Sequence, residues 1–168
     1  MDSISEKHKQ AIVVLHEIYG INQFVKKQYQ EFIEAGYDVF CPNMIDRASF
    51  SYEESIEAYD FFINNVGFEV YKEINDLVNQ LKDKYDDVFN IGFSVGATIA
   101  WRCSENSLCS GIVACYGSRI RDYTNINLIY PSLLLFANEI LLMFMHCLVN
   151  FKINNIYLSL SVMPNMVF

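Results

Sequence analysis

Two glycines bracket a serine at Gly92-Phe93-Ser94-Val95-Gly96. An apolar, β-prone run from Val88 to Ile91 leads in, and a helix-prone run from Ala97 to Arg102 leads out. Gly-x-Ser-x-Gly between a strand and a helix is the pattern of a nucleophile elbow. The turn is so tight that side chains two residues from the serine would clash, and Gly92 and Gly96 remove them. The chemistry on offer is acyl transfer. The turn lifts the Ser94 hydroxyl above a sheet, and the next backbone N–H groups, at a helix start, converge where negative charge would develop. The bare pattern also fits a Gly-rich turn with a buried serine, so the flanking strand and helix carry the assignment.

Those flanking elements recur along the chain. Ala11 to Leu15 is a continuous apolar run, as expected of a strand buried on both faces, and it ends in His16-Glu17-Ile18-Tyr19-Gly20. A helix is expected from an N-cap at Asn22 to Ala35, with Phe24, Val25, Tyr29, Phe32 and Ile33 on one face and Gly36 ending it. Tyr37 to Cys41 reads as a strand closed by Pro42, and Asn43 to Phe50 as a loop. Ser51-x-x-Glu54 forms a capping box opening a helix with Tyr52, Ile56, Tyr59, Phe62 and Ile63 inward, broken at Gly67. The next helix reaches about Tyr85, with Tyr71, Ile74, Leu77, Val78 and Leu81 at helical spacing. Gly111 to Tyr116 and Ser132 to Ala137 are further strands, separated by a loop over 117–130. Strands alternating with helices predict an α/β fold: a mostly parallel sheet with helices on both faces, and ligands at the carboxyl ends of the strands.

Composition narrows the partners. A length of 168 residues suits one domain over 1–168, and the many Phe and Tyr supply a sizeable core. A net charge of −8, with no basic stripe, argues against nucleic acid and anionic membrane surfaces. No apolar run is long enough to span a bilayer without interruption. Met1 to Gln10 is polar and charged, unlike a signal peptide. Five cysteines without C-x-x-C spacing point to a reduced, cytoplasmic setting, with no metal and no other cofactor expected.

Taken together, Leu15-His-Glu-Ile-Tyr-Gly20, Cys41-Pro42 with Arg47 a few residues on, Gly92-Phe-Ser-Val-Gly96 and Ala114-Cys-Tyr-Gly117 resemble the dienelactone hydrolase family of α/β-hydrolases. The resemblance runs over about 11–138. It implies that Ser94 is the nucleophile, in a position where the family often has cysteine. It implies that Glu17 contacts that nucleophile and helps set its protonation. The backbone N–H groups of Ile18 and Val95 match the oxyanion-hole donors, each worth ~3 kcal/mol of transition-state stabilisation in such sites. Arg47 matches an arginine that binds a substrate carboxylate. The implied substrate is a small ester, lactone or thioester.

The resemblance also implies an aspartate just after the 131–137 strand and a histidine in a later His-Gly-Phe, and neither is present. Without a base, a serine hydroxyl is a poor nucleophile. From residue 139 onward only Glu139 and Lys152 are charged, whereas the preceding chain is dense in charge. A one-base deletion near codon 139 accounts for both facts, and a natural divergent tail is the alternative. Read one base earlier, Glu139-Ile140 and the codons after it allow Asp-Ser-Phe-Asp-Val-Tyr-Ala, and Met163 to Phe168 allow His-Gly-Phe in the same frame. The expectation is hydrolase ancestry with severely impaired activity, and a divergent tail over 139–168. Within that tail Ile156, Leu158, Leu160 and Val162 alternate, as an added edge strand would. The alternatives are a non-enzymatic domain that binds a small acyl ligand or associates with its own copy, and a flavodoxin-like or Rossmann-like domain. The latter is weakened by the lack of G-x-G-x-x-G and of a P-loop.

Overall fold

A computed structural model describes residues 9–136 and 156–160. Six strands form one sheet: β1 (Gln10–Leu15), β2 (Asp38–Phe40), β3 (Asp87–Phe93), β4 (Gly111–Cys115), β5 (Ser132–Phe136) and β6 (Ile156–Leu160). Their spatial order is β2-β1-β3-β4-β5-β6, and every neighbouring pair is parallel. The chain leaves β1 toward one edge to make β2. It then returns across β1 to make β3 and runs outward to the other edge. The order therefore reverses between β1 and β3, and the crevice at their carboxyl ends is the switch point where such sheets bind ligands.

The alternation within β1 divides the core. Ala11, Val13 and Leu15 face one cluster with α3 (Tyr71–Lys82) and α4 (Val95–Arg102), while Ile12 and Val14 face the other with α1 (Gln23–Glu34). Helices thus cover both faces, as the apolar strands require.

Local signals set most boundaries. The Asn22 side chain accepts a hydrogen bond from the Val25 N–H at 3.1 Å and caps α1, and Gly36, at φ +94°, follows its end. The Ser51 N–H donates to the Glu54 carboxylate at 2.6 Å, as the capping box predicts. In α3, Ile74, Val78 and Leu81 are buried at the expected spacing.

The structure corrects four details. The segment after Ser51 is not one regular helix but a 3-10 turn (Tyr52–Glu54), α2 (Ser55–Phe61) and a π turn (Phe62–Val66) ended by Gly67 at φ +67°. Of its five expected inward residues only Phe62 is buried. Ala58 joins it, whereas Ile56 is 79% exposed and Tyr52, Tyr59 and Ile63 are exposed as well. In α1, Ile33 faces solvent while Val25 is buried. Finally, the 117–130 loop contains a 3-10 helix at Ser118–Asp122. The expected strand at 132–137 is described to Phe136, and the alternating tail segment pairs with β5 as β6.

Among the described residues no helix is long and apolar enough to cross a membrane.

Candidate active site

β3 delivers Ser94 to the switch point. The serine sits at φ 54°, ψ −114°, a backbone conformation that L-residues avoid. The reason is close packing. A Cβ on Gly92 would lie 2.1 Å from the Gly96 carbonyl oxygen, and one on Gly96 would lie 2.3 Å from the Leu15 carbonyl oxygen. Both glycines are therefore sterically required, one inside the turn and the other where α4 crosses β1. The Ser94 N–H donates to the Cys115 carbonyl at 3.0 Å, and the Ser94 carbonyl accepts from Ala97 and Thr98. The elbow is thereby tied to the end of β4 and to the first turn of α4.

β1 delivers the facing segment. It ends at Leu15, and Glu17 to Gly20 form a turn in which the Gly20 N–H donates to the Glu17 carbonyl at 3.2 Å. Ile18 and Val95 line one small cavity of about 90 Å³ with Ser94, together with Tyr59, Thr98, Ser118 and Arg119. Neither Ile18 N–H nor Val95 N–H donates to another group among the described residues. A larger hollow of about 250 Å³ lies at the opposite end of β4 and β5, around Gly111 and Pro131, far from this chemistry.

Glu17, the residue before Ile18, is engaged with the end of β4. Tyr116, the residue after β4, donates its hydroxyl to Glu17 Oε1 at 3.2 Å. Among the described residues no hydrogen bond joins Glu17 to Ser94. Burial raises the Glu17 carboxyl above the usual carboxylate range, and the Tyr116 hydrogen bond offsets part of that shift. Burial, with Glu17 beside it, also pushes the Tyr116 phenol up, so Tyr116 stays a donor.

Arg47 is not among the cavity residues. Its guanidinium lies over the Phe50 ring, 3.9 Å from the centroid, in the loop before α2. Arg119 lines the cavity instead, with its Nε 2.7 Å from Asp122 Oδ2. Thr98 is fully buried there, and its hydroxyl has no partner among the described residues. Sequence reasoning missed Thr98, Arg119 and the role of Tyr116. The available signal was position: Thr98 lies one turn into the elbow helix, and Tyr116 and Arg119 follow the strand beside it. The thiols of half-buried Cys41 and buried Cys115 are held protonated, since burial pushes Cys41 up to about 11 and Cys115 up to about 12. Among the described residues no three His, Cys, Asp or Glu side chains converge as a metal site.

A parallel sheet with this strand order and a strained Gly-x-Ser-x-Gly turn at its switch point defines an α/β-hydrolase fold. The chain belongs to the dienelactone hydrolase family, whose sequence profile matches residues 3–139. That match stops where the charge pattern of the chain changes. An uncharacterized protein of Bacillus subtilis (strain 168), YczH, is 39% identical over 132 residues; the aligned part is 77% of this chain and 64% of that protein. This chain therefore matches less than two thirds of that relative's length. Among solved structures, the dienelactone hydrolase from Anabaena variabilis superposes with a TM-score of 0.68 at 14% identity, covering 95% of this chain and 76% of that one. A dienelactone hydrolase-like promiscuous phosphotriesterase, P91, from metagenomic libraries gives 0.68 at 15% identity, covering 96% and 73%. At these identities the likeness is one of fold.

Proposed function

We propose that this chain is a serine hydrolase of the dienelactone hydrolase type, built to cleave a small ester, lactone or thioester, and that its turnover is severely impaired in the sequence as it stands. The observation that carries the reading is the strained Ser94 sharing one cavity with Ile18 and Val95, whose N–H groups are uncommitted among the described residues. In this reading Ser94 Oγ attacks the carbonyl carbon, and the two N–H groups hold the oxygen as it becomes negative. In the same reading Glu17, hydrogen-bonded to Tyr116, biases the protonation of the nucleophile. Arg47 was expected to take a substrate carboxylate. Its seat on Phe50 favours Arg119 for that role, because Arg119 lines the Ser94 cavity.

The impairment follows from chemistry. An elbow serine needs a base and an acid that orients it, and loss of triad members leaves only residual catalysis from binding and the oxyanion hole. His16 is committed to backbone partners, and His8 and His146 lie outside the described residues, as does the site after β5 where the family carries its aspartate. The loss of charge from residue 139 and the end of the family match at the same residue support a shifted reading frame.

The test is a fluorophosphonate that labels activated serines. Slow labelling at Ser94 in this chain, with fast labelling once an inserted base restores the frame after codon 139, is the expected result. Equal rates and equal ester turnover in the two chains would remove the impairment. No labelling at Ser94 in either would remove the hydrolase reading.

A further inference from the structure

The segment between β1 and α1 is held by a ring that the reaction does not consume. His16 is fully buried and uses both ring nitrogens. The Met44 backbone N–H donates to His16 Nε2 at 2.9 Å. A donor aimed at that nitrogen requires a lone pair there, so the ring hydrogen is on Nδ1. Nδ1 lies 2.6 Å from the Glu17 carbonyl oxygen, and the Nδ1–H therefore donates to it. Burial also lowers the imidazole pKa, which keeps the ring neutral and the Met44 contact intact.

The carbonyl held in this way belongs to the peptide that joins Glu17 to Ile18. That unit is planar and trans, so its C=O and its N–H point in opposite directions. Fixing the oxygen fixes the direction of the Ile18 N–H. The Gly20 N–H reaches the same oxygen at 3.2 Å, but it belongs to the turn being positioned. His16 follows directly on β1 and is tethered to the 43–50 loop, so it carries the geometry of the sheet into the peptide.

We propose that His16 is a positioning residue for the oxyanion hole: with its tautomer set by Met44, its Nδ1–H orients the Glu17–Ile18 peptide so that the Ile18 N–H faces the reacting oxygen above Ser94. The oxyanion role rests on the hydrolase reading given above, whereas the orientation of the peptide does not.

Two amide variants separate the two bonds of the ring. In His16→Asn the side-chain amide lies where Nδ1 lies, so it can still donate to Glu17 while Met44 is released. In His16→Gln the amide reaches to the Nε2 position, so Met44 keeps an acceptor and Glu17 loses the ring donor. The experiment uses the full chain. It records the imidazole nitrogen resonances of the wild type, the Ile18 N–H residual dipolar coupling in a weakly aligned sample, and the rate of Ser94 phosphonylation by a p-nitrophenyl alkylphosphonate. The wild type is expected to show the Nδ1–H tautomer. His16→Gln is expected to shift the Ile18 coupling and slow phosphonylation ~100-fold, the loss typical of one oxyanion donor. His16→Asn is expected to keep both near wild type. A wild-type ring protonated on Nε2 overturns the proposal even if a variant fails to fold. So does a His16→Gln protein with an unchanged Ile18 coupling. A shifted coupling in His16→Gln, with no phosphonylation of Ser94 in the wild type or in the frame-restored chain, supports the positioning role and overturns the hydrolase reading.

Discussion

Tyr116 and Glu17 are 99 positions apart in sequence and meet in a hydrogen bond of 3.2 Å at the carboxyl edge of the sheet. β3 stands between the strands that carry them, so the bond spans the elbow from one side to the other. It gives a half-buried carboxylate its partner and favours the charged form against the burial that opposes it.

Glu17 therefore makes stability depend on pH in a known direction. Its folded pKa is raised above the ordinary value of 4.5, so its contribution to stability is fully present below that value and is lost as pH rises through the folded pKa. Glu17→Gln removes the ionisation. The melting temperature of the variant, relative to wild type, is expected to climb as pH rises from 4 through the folded pKa of Glu17. Parallel melting curves across that range would show that the carboxylate is not desolvated.

The elbow glycines and the helix-end glycine separate steric from conformational cost. Gly92→Ala and Gly96→Ala each drive a Cβ into backbone at under 2.4 Å and are expected to cost ~3 kcal/mol or more, enough to lower the soluble yield. Gly36→Ala meets nothing within 4 Å, and only its φ of +94° opposes it, so about 1 kcal/mol is expected. Urea unfolding of the three variants checks the ranking, and an equal cost at all three positions would contradict the packing described for the elbow.

The two arginines can be distinguished by binding. Arg119→Ala is expected to weaken binding of a short carboxylate-bearing ester, such as monomethyl succinate, about tenfold, the loss of one charged hydrogen bond. Arg47→Ala is expected to leave it unchanged. Calorimetric titration reads both, and the reverse pattern would return the carboxylate to Arg47.

The exposed face of α2 provides a control. Ile56 is 79% exposed, so Ile56→Lys is expected to change stability by less than ~0.5 kcal/mol. A larger loss by thermal or urea unfolding would mean that this face is covered in solution.

Much of the architecture is legible in the residues themselves. The run Ala11–Leu15 reads as a doubly buried strand because both of its faces are apolar, and the Asn22 and Ser51 caps read correctly because capping is a short-range hydrogen bond. The glycines of the elbow are legible for the same reason, since their clashes involve neighbours in the chain or the adjacent strand. The face of α2 was not. Tyr52, Ile56, Tyr59 and Ile63 do recur at helical spacing with Phe62, but periodicity reveals a stripe and not what lies against it, and of that stripe the core takes only Phe62, joined by Ala58. Arg119 and Tyr116 stayed hidden because only the folded sheet brings their segment to Ser94 and Glu17. The bonds of His16 stayed hidden as well, because Met44, which sets its tautomer, is 28 positions away and meets it only in the fold.

The order of the strands also bears on how the chain is made. From β3 onward each newly synthesised strand joins the free edge of the sheet beside the strand made before it. The strands that flank the crevice, β1 and β3, are therefore both synthesised before β5 and β6. Whatever the reading frame does beyond codon 139 leaves the residues of the Gly92–Gly96 turn as they are. The corresponding hazard is kinetic: until that edge is paired, β5 presents an open row of backbone donors and acceptors to any other nascent chain.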